Sequence, residues 1–176
     1  MLNCIITENT VRRDDNAYRE RETVTQGMLY GTSTREVDTA GKLIIQGLET
    51  AIRQAIADGK NVFISGMALG VDIWAAEIVL RLRDEGQEIK LICASPYKGF
   101  ERGWSSEWQL RYNTVLEAAD LVRFICSRYS RSGFQIRNEW MVDHSSLVIA
   151  VFNGQPGGTK NTIDYAERQG IVVYLA

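Results

Sequence analysis

Two glycine-bearing segments hold the residues whose types and spacing suit anion binding. The first, Ser65-Gly-Met-Ala-Leu-Gly-Val-Asp72, leaves a short apolar run and enters a helical pattern. Small residues let backbone N–H groups approach a ligand closely, and a helix amino terminus offers unpaired N–H groups and a favourable dipole to phosphate. The predicted ligand contacts in this segment are Ser65, Gly66, Ala68, Gly70 and Asp72.

An alternative for this first segment is a tight turn whose glycines serve helix-to-sheet packing. It is not a dinucleotide-binding fingerprint, because Ala68 and Val71 occupy positions where G-x-G-x-x-G requires its later glycines. Ordinary NAD binding is therefore poorly supported. Asp72 still suits a hydrogen bond from a ribose hydroxyl.

The second segment, Gly154-Gln-Pro-Gly-Gly-Thr-Lys-Asn-Thr162, follows another apolar run and opens the last helical pattern. Its two adjacent glycines permit a nest of backbone amides, while its threonine hydroxyls suit either a helix cap or a phosphate oxygen. The order Gly-Lys-Ser/Thr of a Walker loop is absent from it. The predicted ligand contacts are Gly157, Gly158, Thr159, Asn161 and Thr162.

A basic side chain lies in a third segment, Arg137-Asn-Glu-Trp-Met141. Arg137 can meet a phosphate or carboxylate bidentately, although a solvated surface arginine is the alternative for any single position. The remaining predicted ligand contacts are Asn138 in this segment, and Ser95 and Pro96 after the third predicted strand. The single histidine, His144, lacks a suggestive partner and is predicted to be structural.

Short β-branched runs alternate with helical patterns, which is typical of βαβ units and a parallel sheet. The predicted strands are Asn3–Thr7, Asn61–Ser65, Ile89–Ala94, Leu121–Cys126, Leu147–Phe152 and Ile171–Leu175. The predicted helices cover Leu43–Ile56, Leu69–Arg83, Trp104–Ala119, Gln135–Asp143 and Thr159–Arg168. We predict one Rossmann-like α/β domain over residues 1–176, a three-layer sandwich with a mostly parallel sheet of about six strands. In such a sheet both glycine segments open on the carboxyl edge, where they can clasp one ligand.

Composition argues against several classes of partner. The chain has 176 residues, 45% of them apolar and 24% charged, which is enough for one hydrophobic core. A formal net charge of -2 gives no global attraction to nucleic acid or an anionic membrane, and no apolar run approaches a membrane span. Because the three cysteines lie in or beside apolar runs and form no CxxC pair, we predict that they are reduced core residues of a cytoplasmic protein without disulfides or metal. We also predict no cofactor. Residues 8–38 do not fit the alternation and are predicted to be irregular or flap-like.

Together these motifs resemble the SLOG superfamily, and most closely its YpsA-like branch. The superfamily also includes the DNA-processing protein DprA and the Lonely Guy (LOG) cytokinin-activating enzymes. The resemblance spans Val62 to Ala176, about two-thirds of the chain. It rests on Ser65–Asp72 with Trp74-Ala-Ala-Glu77, on Ala94-Ser-Pro-Tyr97, on Arg137-Asn138 with Met141, and on Gly157–Ala166.

The resemblance implies a Rossmann-like fold, a glycine-lined pocket for a nucleotide or nucleotide-derived ligand, and homodimers. The function it implies is binding or sensing of such a ligand, with Arg137 neutralising its phosphate. LOG enzymes cleave a nucleoside monophosphate at its N-glycosidic bond, using an arginine before a methionine and a glutamate after a PGGxGT turn. Arg137 and Met141 match the first element, whereas Lys160, Asn161 and Thr162 stand in place of the second.

Two alternatives stay open beside ligand binding, which we favour over catalysis. The first is a LOG-like phosphoribohydrolase, which requires a carboxylate for charge stabilisation or water activation; its candidate catalytic residues are Arg137, Asp72, Glu139 and Asp164. The second is single-stranded DNA binding of the DprA type, against which stands the lack of an aromatic and basic stripe. A further departure lies at Thr7-Glu-Asn-Thr10, where YpsA-like proteins carry a Thr-Gly-His-Arg-type turn.

Overall fold

The computed structural model describes the backbone of residues 4–8 and the whole of residues 39–176. The segment predicted to be flap-like lies outside these residues, apart from Glu8. The strands are β1 (Cys4–Glu8), β2 (Val62–Ser65), β3 (Lys90–Ser95), β4 (Leu121–Phe124), β5 (Leu147–Ala150) and β6 (Val172–Leu175). The helices are α1 (Thr39–Ala57), α2 (Val71–Asp84), α3 (Ser106–Ala118), α4 (Gly133–Asp143) and α5 (Gly158–Arg168).

Each strand and helix has a counterpart among the predicted elements, with ends that differ by a few residues. One described element has none: a short 3₁₀ helix, Phe100–Gly103, lies between β3 and α3. Its four residues are too few to produce a periodic apolar pattern, because one turn of 3₁₀ helix already spans three residues.

The sheet has the strand order β4-β3-β2-β1-β5-β6. Strands β2, β3 and β4 are mutually parallel, and β5 and β6 are parallel to each other. Between these groups, β1 pairs antiparallel with both β2 and β5. The α/β class and parallel pairing are confirmed. The sheet has six strands, but its parallel pairing is divided into a group of three and a group of two, because β1 runs antiparallel between them.

The direction of β1 fixes the relative direction of the two parallel groups. Because β2 and β5 both run opposite to β1, they run the same way as each other. In the register, Ile5 lies opposite Ser65 of β2 and Ile149 of β5. The carboxyl ends of β2 through β6 therefore lie along one edge of the sheet, which we call the carboxyl edge.

Helices cover both faces of the sheet. Successive side chains of a strand point to opposite faces, so Phe63 of β2 joins a core cluster with α1 and α2, whereas Ile64 joins one with α4 and α5. Along the first face α1 packs on α2 and α2 on α3, and on the second α4 packs on α5. Within residues 39–176, no helix has the length and apolar character that a bilayer crossing requires.

Candidate functional site

Both glycine segments lie at the carboxyl edge. The first leaves β2 at Ser65 and enters α2, and the second leaves β5 at Ala150 and enters α5. Only β1 separates β2 from β5 in the sheet, so their ends are two strand spacings apart, roughly 10 Å. The sequence-based expectation that the two segments open on one edge therefore agrees with the topology.

Side chains of the first segment are used to close its own turn. The Ser65 hydroxyl donates to the carbonyl of Asp72 at 2.9 Å and accepts from the Met67 N–H at 3.2 Å. An Asp72 carboxylate oxygen accepts from the Ala68 N–H at 3.0 Å. Met67 adopts a left-handed backbone with φ of 59°, which is uncommon for a residue with a side chain, and it is fully buried. Hydrogen bonds between residues of the segment itself therefore stabilise this turn.

Arg137 of α4 reaches across to this turn. Its guanidinium donates to the carbonyl of Gly66 and lies 3.4 Å from the carboxylate of Asp72. Both charged side chains are buried, with 4% and 1% of their surface exposed. A Cβ atom at Gly66 would lie 2.7 Å from the Asp72 carboxylate and 2.8 Å from the guanidinium carbon. Glycine is therefore required here by the approach of the chain's own arginine.

Compared with water, the environment of Asp72 favours the neutral, protonated form of its carboxyl group. Burial raises the pKa of this carboxyl to about 6, although the Arg137 charge and the Ala68 N–H both act to lower it. Its second carboxylate oxygen is buried and has no hydrogen-bond partner among the described residues. Asp72 therefore keeps its proton to a higher pH than an exposed aspartate does.

The second segment is more open. Gly157, Gly158 and Asn161 are exposed, and no side chain in the described part of the chain caps the amino terminus of α5. Thr162 is buried and its hydroxyl donates to the carbonyl of Gly158 at 2.8 Å. Thr159 is buried beside it. Backbone N–H groups of the first turn of α5 consequently face outward, as anion binding at a helix terminus requires.

The other predicted site residues divide between the edge and the helix surfaces. Ser95 is buried at the end of β3, where its hydroxyl lies 2.7 Å from that of Tyr112, and Pro96 is buried next to it. Asn138 is half-buried beside Arg137 on α4.

Two of the four candidate catalytic residues are engaged within their own helices. Glu139 accepts from the Gln135 side chain at 2.9 Å, and Asp164 forms an ion pair with Lys160. The structure thus brings Asp72 and Arg137 together and gives Glu139 and Asp164 local surface partners.

Sequence reasoning missed a group of aromatic side chains beyond β3 and β4. Their rings touch edge to face at centroid distances of 5.0 to 5.7 Å. We call this group the aromatic cluster; its members are Tyr97, Phe100, Trp104, Tyr112, Tyr129 and Phe134. The density of aromatic residues directly after β3 was the available signal. Among residues 39–176 the structure holds no group of three potential metal-ligating side chains.

The sequence is similar to a known protein family and to several bacterial proteins. A family model described as the YspA SLOG family matches residues 33–170. The uncharacterized SPbeta prophage-derived protein YoqJ of Bacillus subtilis (strain 168) is 34% identical over 123 residues, which cover 63% of this chain and 72% of YoqJ. A UPF0398 protein of Bacillus thuringiensis (strain Al Hakam) is 31% identical over 131 residues, which cover 72% of this chain and 71% of that protein.

Removing the buried arginine should destabilise the fold. Arg137→Ala leaves Asp72 buried without its cationic neighbour, so we expect the free energy of unfolding to fall by about 3 to 5 kcal/mol in urea titrations. Arg53→Ala is the matched control, because Arg53 is half exposed and pairs with Glu49 and Glu85 on the surface. Its loss should cost about 1 kcal/mol or less. Equal stability of the two variants would contradict the structural role of Arg137.

The raised pKa of Asp72 predicts a pH dependence of stability. In the unfolded chain an aspartate titrates near pH 4, whereas in the folded protein the pKa of Asp72 is about 6. Between these values the folded state binds more protons, so the free energy of unfolding falls as pH rises from about 4 to about 6. Relative to Asp72→Asn, the wild type should lose stability across this window and then level off.

Urea titrations at closely spaced pH values would measure this difference, with Asp84→Asn, on the surface, as the matched substitution. A stability difference that instead rises with pH would show that burial does not dominate the pKa of Asp72.

Proposed function

The chain belongs to the YspA SLOG family, and on that premise we propose that it binds or senses a nucleotide or nucleotide-derived ligand at the carboxyl edge. The observation that carries the proposal is the uncapped and exposed amino terminus of α5 behind Gly157 and Gly158. Outward N–H groups and the helix dipole there favour a phosphate. We further propose, from the family resemblance, that it acts as a homo-oligomer in the cytoplasm.

The two glycine segments have different roles in this proposal. The second binds the phosphate through backbone N–H groups. In the first, the Ala68 N–H already donates to Asp72, and Gly66 accommodates Arg137. We therefore assign Arg137 and Asp72 as positioning residues that hold the β2–α2 turn. The outer part of this turn, where Leu69 is exposed and Gly70 half-exposed, then contacts the sugar of the ligand, or a second phosphate if the ligand has one.

One observation favours the alternative of nucleoside monophosphate hydrolysis. A carboxyl with a pKa near 6, such as Asp72, is suited to general acid or base catalysis. Against it, Asp72 is 1% exposed, and one of its carboxylate oxygens is already engaged with the Arg137 guanidinium and the Ala68 N–H. Binding without turnover is the function that this arrangement supports better.

Ligand binding can be tested at Gly158. A Cβ atom there meets no heavy atom within 4 Å, so Gly158→Val should fold normally while its side chain obstructs the approach of a phosphate to α5. We expect ribose 5-phosphate to bind the variant at least tenfold more weakly than the wild type, about 1.4 kcal/mol, in isothermal titration. Gly103→Val is the matched control because Gly103 is equally unobstructed but follows β3.

The wild type should also gain thermal stability with ribose 5-phosphate and with nucleoside 5′-mono- and diphosphates, because a ligand that prefers the native state raises its apparent stability. If none of these compounds raises the melting midpoint, the proposed function is wrong.

Hydrolysis is tested by base release. Because Asn161 and Thr162 cannot ionise near neutral pH, and Glu139 and Asp164 have local partners, we expect no release of base above background from nucleoside monophosphates. Chromatography of the reaction mixture measures free base directly. Robust release that is lost in Asp72→Asn would instead establish the enzyme and give Asp72 a catalytic role.

A further inference from the structure

A carboxylate that the preceding function does not use lies within the chain segment that forms the aromatic cluster. Glu101 lies in the short 3₁₀ helix after β3, between Phe100 and the loop that carries Trp104. Those two rings are 5.0 Å apart, and Phe100 also contacts Tyr97 and Phe134. Glu101 thus follows one ring of the aromatic cluster in the chain, and its charge acts on another, Tyr112.

One carboxylate oxygen of Glu101 is buried and has no hydrogen-bond partner among the described residues. Leaving a buried acceptor unpaired costs free energy, and the cost is greater for a charged group. The backbone does not depend on this side chain, because the Trp104 N–H bonds to the carbonyl of Glu101. This oxygen of the Glu101 carboxylate therefore lacks a hydrogen-bond donor in the described part of the chain, and the fold of the 3₁₀ helix does not depend on this side chain.

The same carboxylate acts on the neighbouring Tyr112 hydroxyl. Burial is the main reason that the pKa of Tyr112 is raised to about 12, and the charge of Glu101 raises it further. Tyr112 is held by Ser95 at the end of β3, with 2.7 Å between their hydroxyl oxygens. The Glu101 carboxylate therefore lies close enough to act on the hydroxyl of Tyr112, which itself contacts Ser95 at the end of β3.

We propose that Glu101 accepts a hydrogen bond from the exocyclic amino group of the base of the bound nucleotide, with rings of the aromatic cluster against the base. This inference rests on the proposed function and names the class of base that the site selects, one with an exocyclic amino group. Aromatic side chains stack on any base, and carboxylates accept from base amino groups. Uracil is disfavoured, because its ring N–H lies between two carbonyl oxygens that repel a carboxylate.

The topology sets the orientation of such a ligand. Strands β3 and β5 are three places apart in the sheet, so their carboxyl ends are separated by roughly 14 Å. The base lies beyond β3 and the phosphate beyond β5, at α5. The sugar then crosses the ends of β2 and β1, close to the first glycine segment.

The test compares Glu101→Gln with Glu88→Gln, an exposed residue that precedes β3 at the opposite edge. Isothermal titration would use the 5′-monophosphates of adenosine, guanosine, cytidine and uridine, with ribose 5-phosphate as the probe without a base. We expect the wild type to bind at least one amino-bearing nucleotide at least tenfold more tightly than uridine monophosphate. Glu101→Gln should lose most of that preference, because its amide donates as well as accepts.

The probe without a base separates the possible failures. Both Gln variants should bind ribose 5-phosphate within twofold of the wild type and melt at its temperature. A parallel loss of ribose 5-phosphate binding in Glu101→Gln would overturn the inference by making Glu101 structural. If the wild type binds ribose 5-phosphate but does not discriminate among bases, only this inference fails. If it binds none of the probes, the proposed function fails as well.

Discussion

A single buried guanidinium organises the carboxyl edge. Arg137 crosses from α4 to the β2–α2 turn, 71 residues earlier in the chain, and meets a backbone carbonyl and a carboxylate there. A charge at this depth is tolerable only beside opposite charge and hydrogen-bond acceptors. Gly66 has no side chain because the guanidinium occupies that space, and Asp72 is buried because the guanidinium needs its charge. The conformation of the first glycine segment therefore depends on Arg137 of α4.

The two glycine segments, which look alike in sequence, therefore differ in what they leave available. The protein's own side chains fill the inner part of the first segment, and the Met67 and Ala68 N–H groups donate to acceptors within the turn. The second keeps its helix amino terminus exposed, because Thr162 bonds backward to the carbonyl of Gly158 and leaves the outward N–H groups alone. In the proposed function, phosphate recognition and turn stability therefore fall to different segments of one sheet.

Local patterns were sufficient to predict most elements, since β-branched runs such as Val62–Ser65 and amphipathic stretches such as Thr39–Ala57 carry their own periodicity. They also placed both glycine segments at strand ends. They could not reveal the direction of β1, which depends on pairing with strands distant in sequence. Nor could they show that Gly66 makes room for Arg137, or that one oxygen of Glu101 is buried without a hydrogen-bond partner among the described residues, because both depend on contacts between separate elements. A carboxylate in a charged, polar-looking stretch gives no sign of its burial.

Among the described strands, the antiparallel strand β1 is the only connection within the sheet between its two parallel groups. Hydrogen bonding between the three-strand and two-strand parallel groups passes through its five residues, of which Ile5, Ile6 and Thr7 have partners on both sides. If that strand detaches, β2 and β5 each acquire an unpaired edge, and such edges readily pair with strands of other molecules. The most vulnerable state for self-association is thus a partly opened sheet that retains its helices, and the lifetime of β1 in the sheet governs how often that state forms.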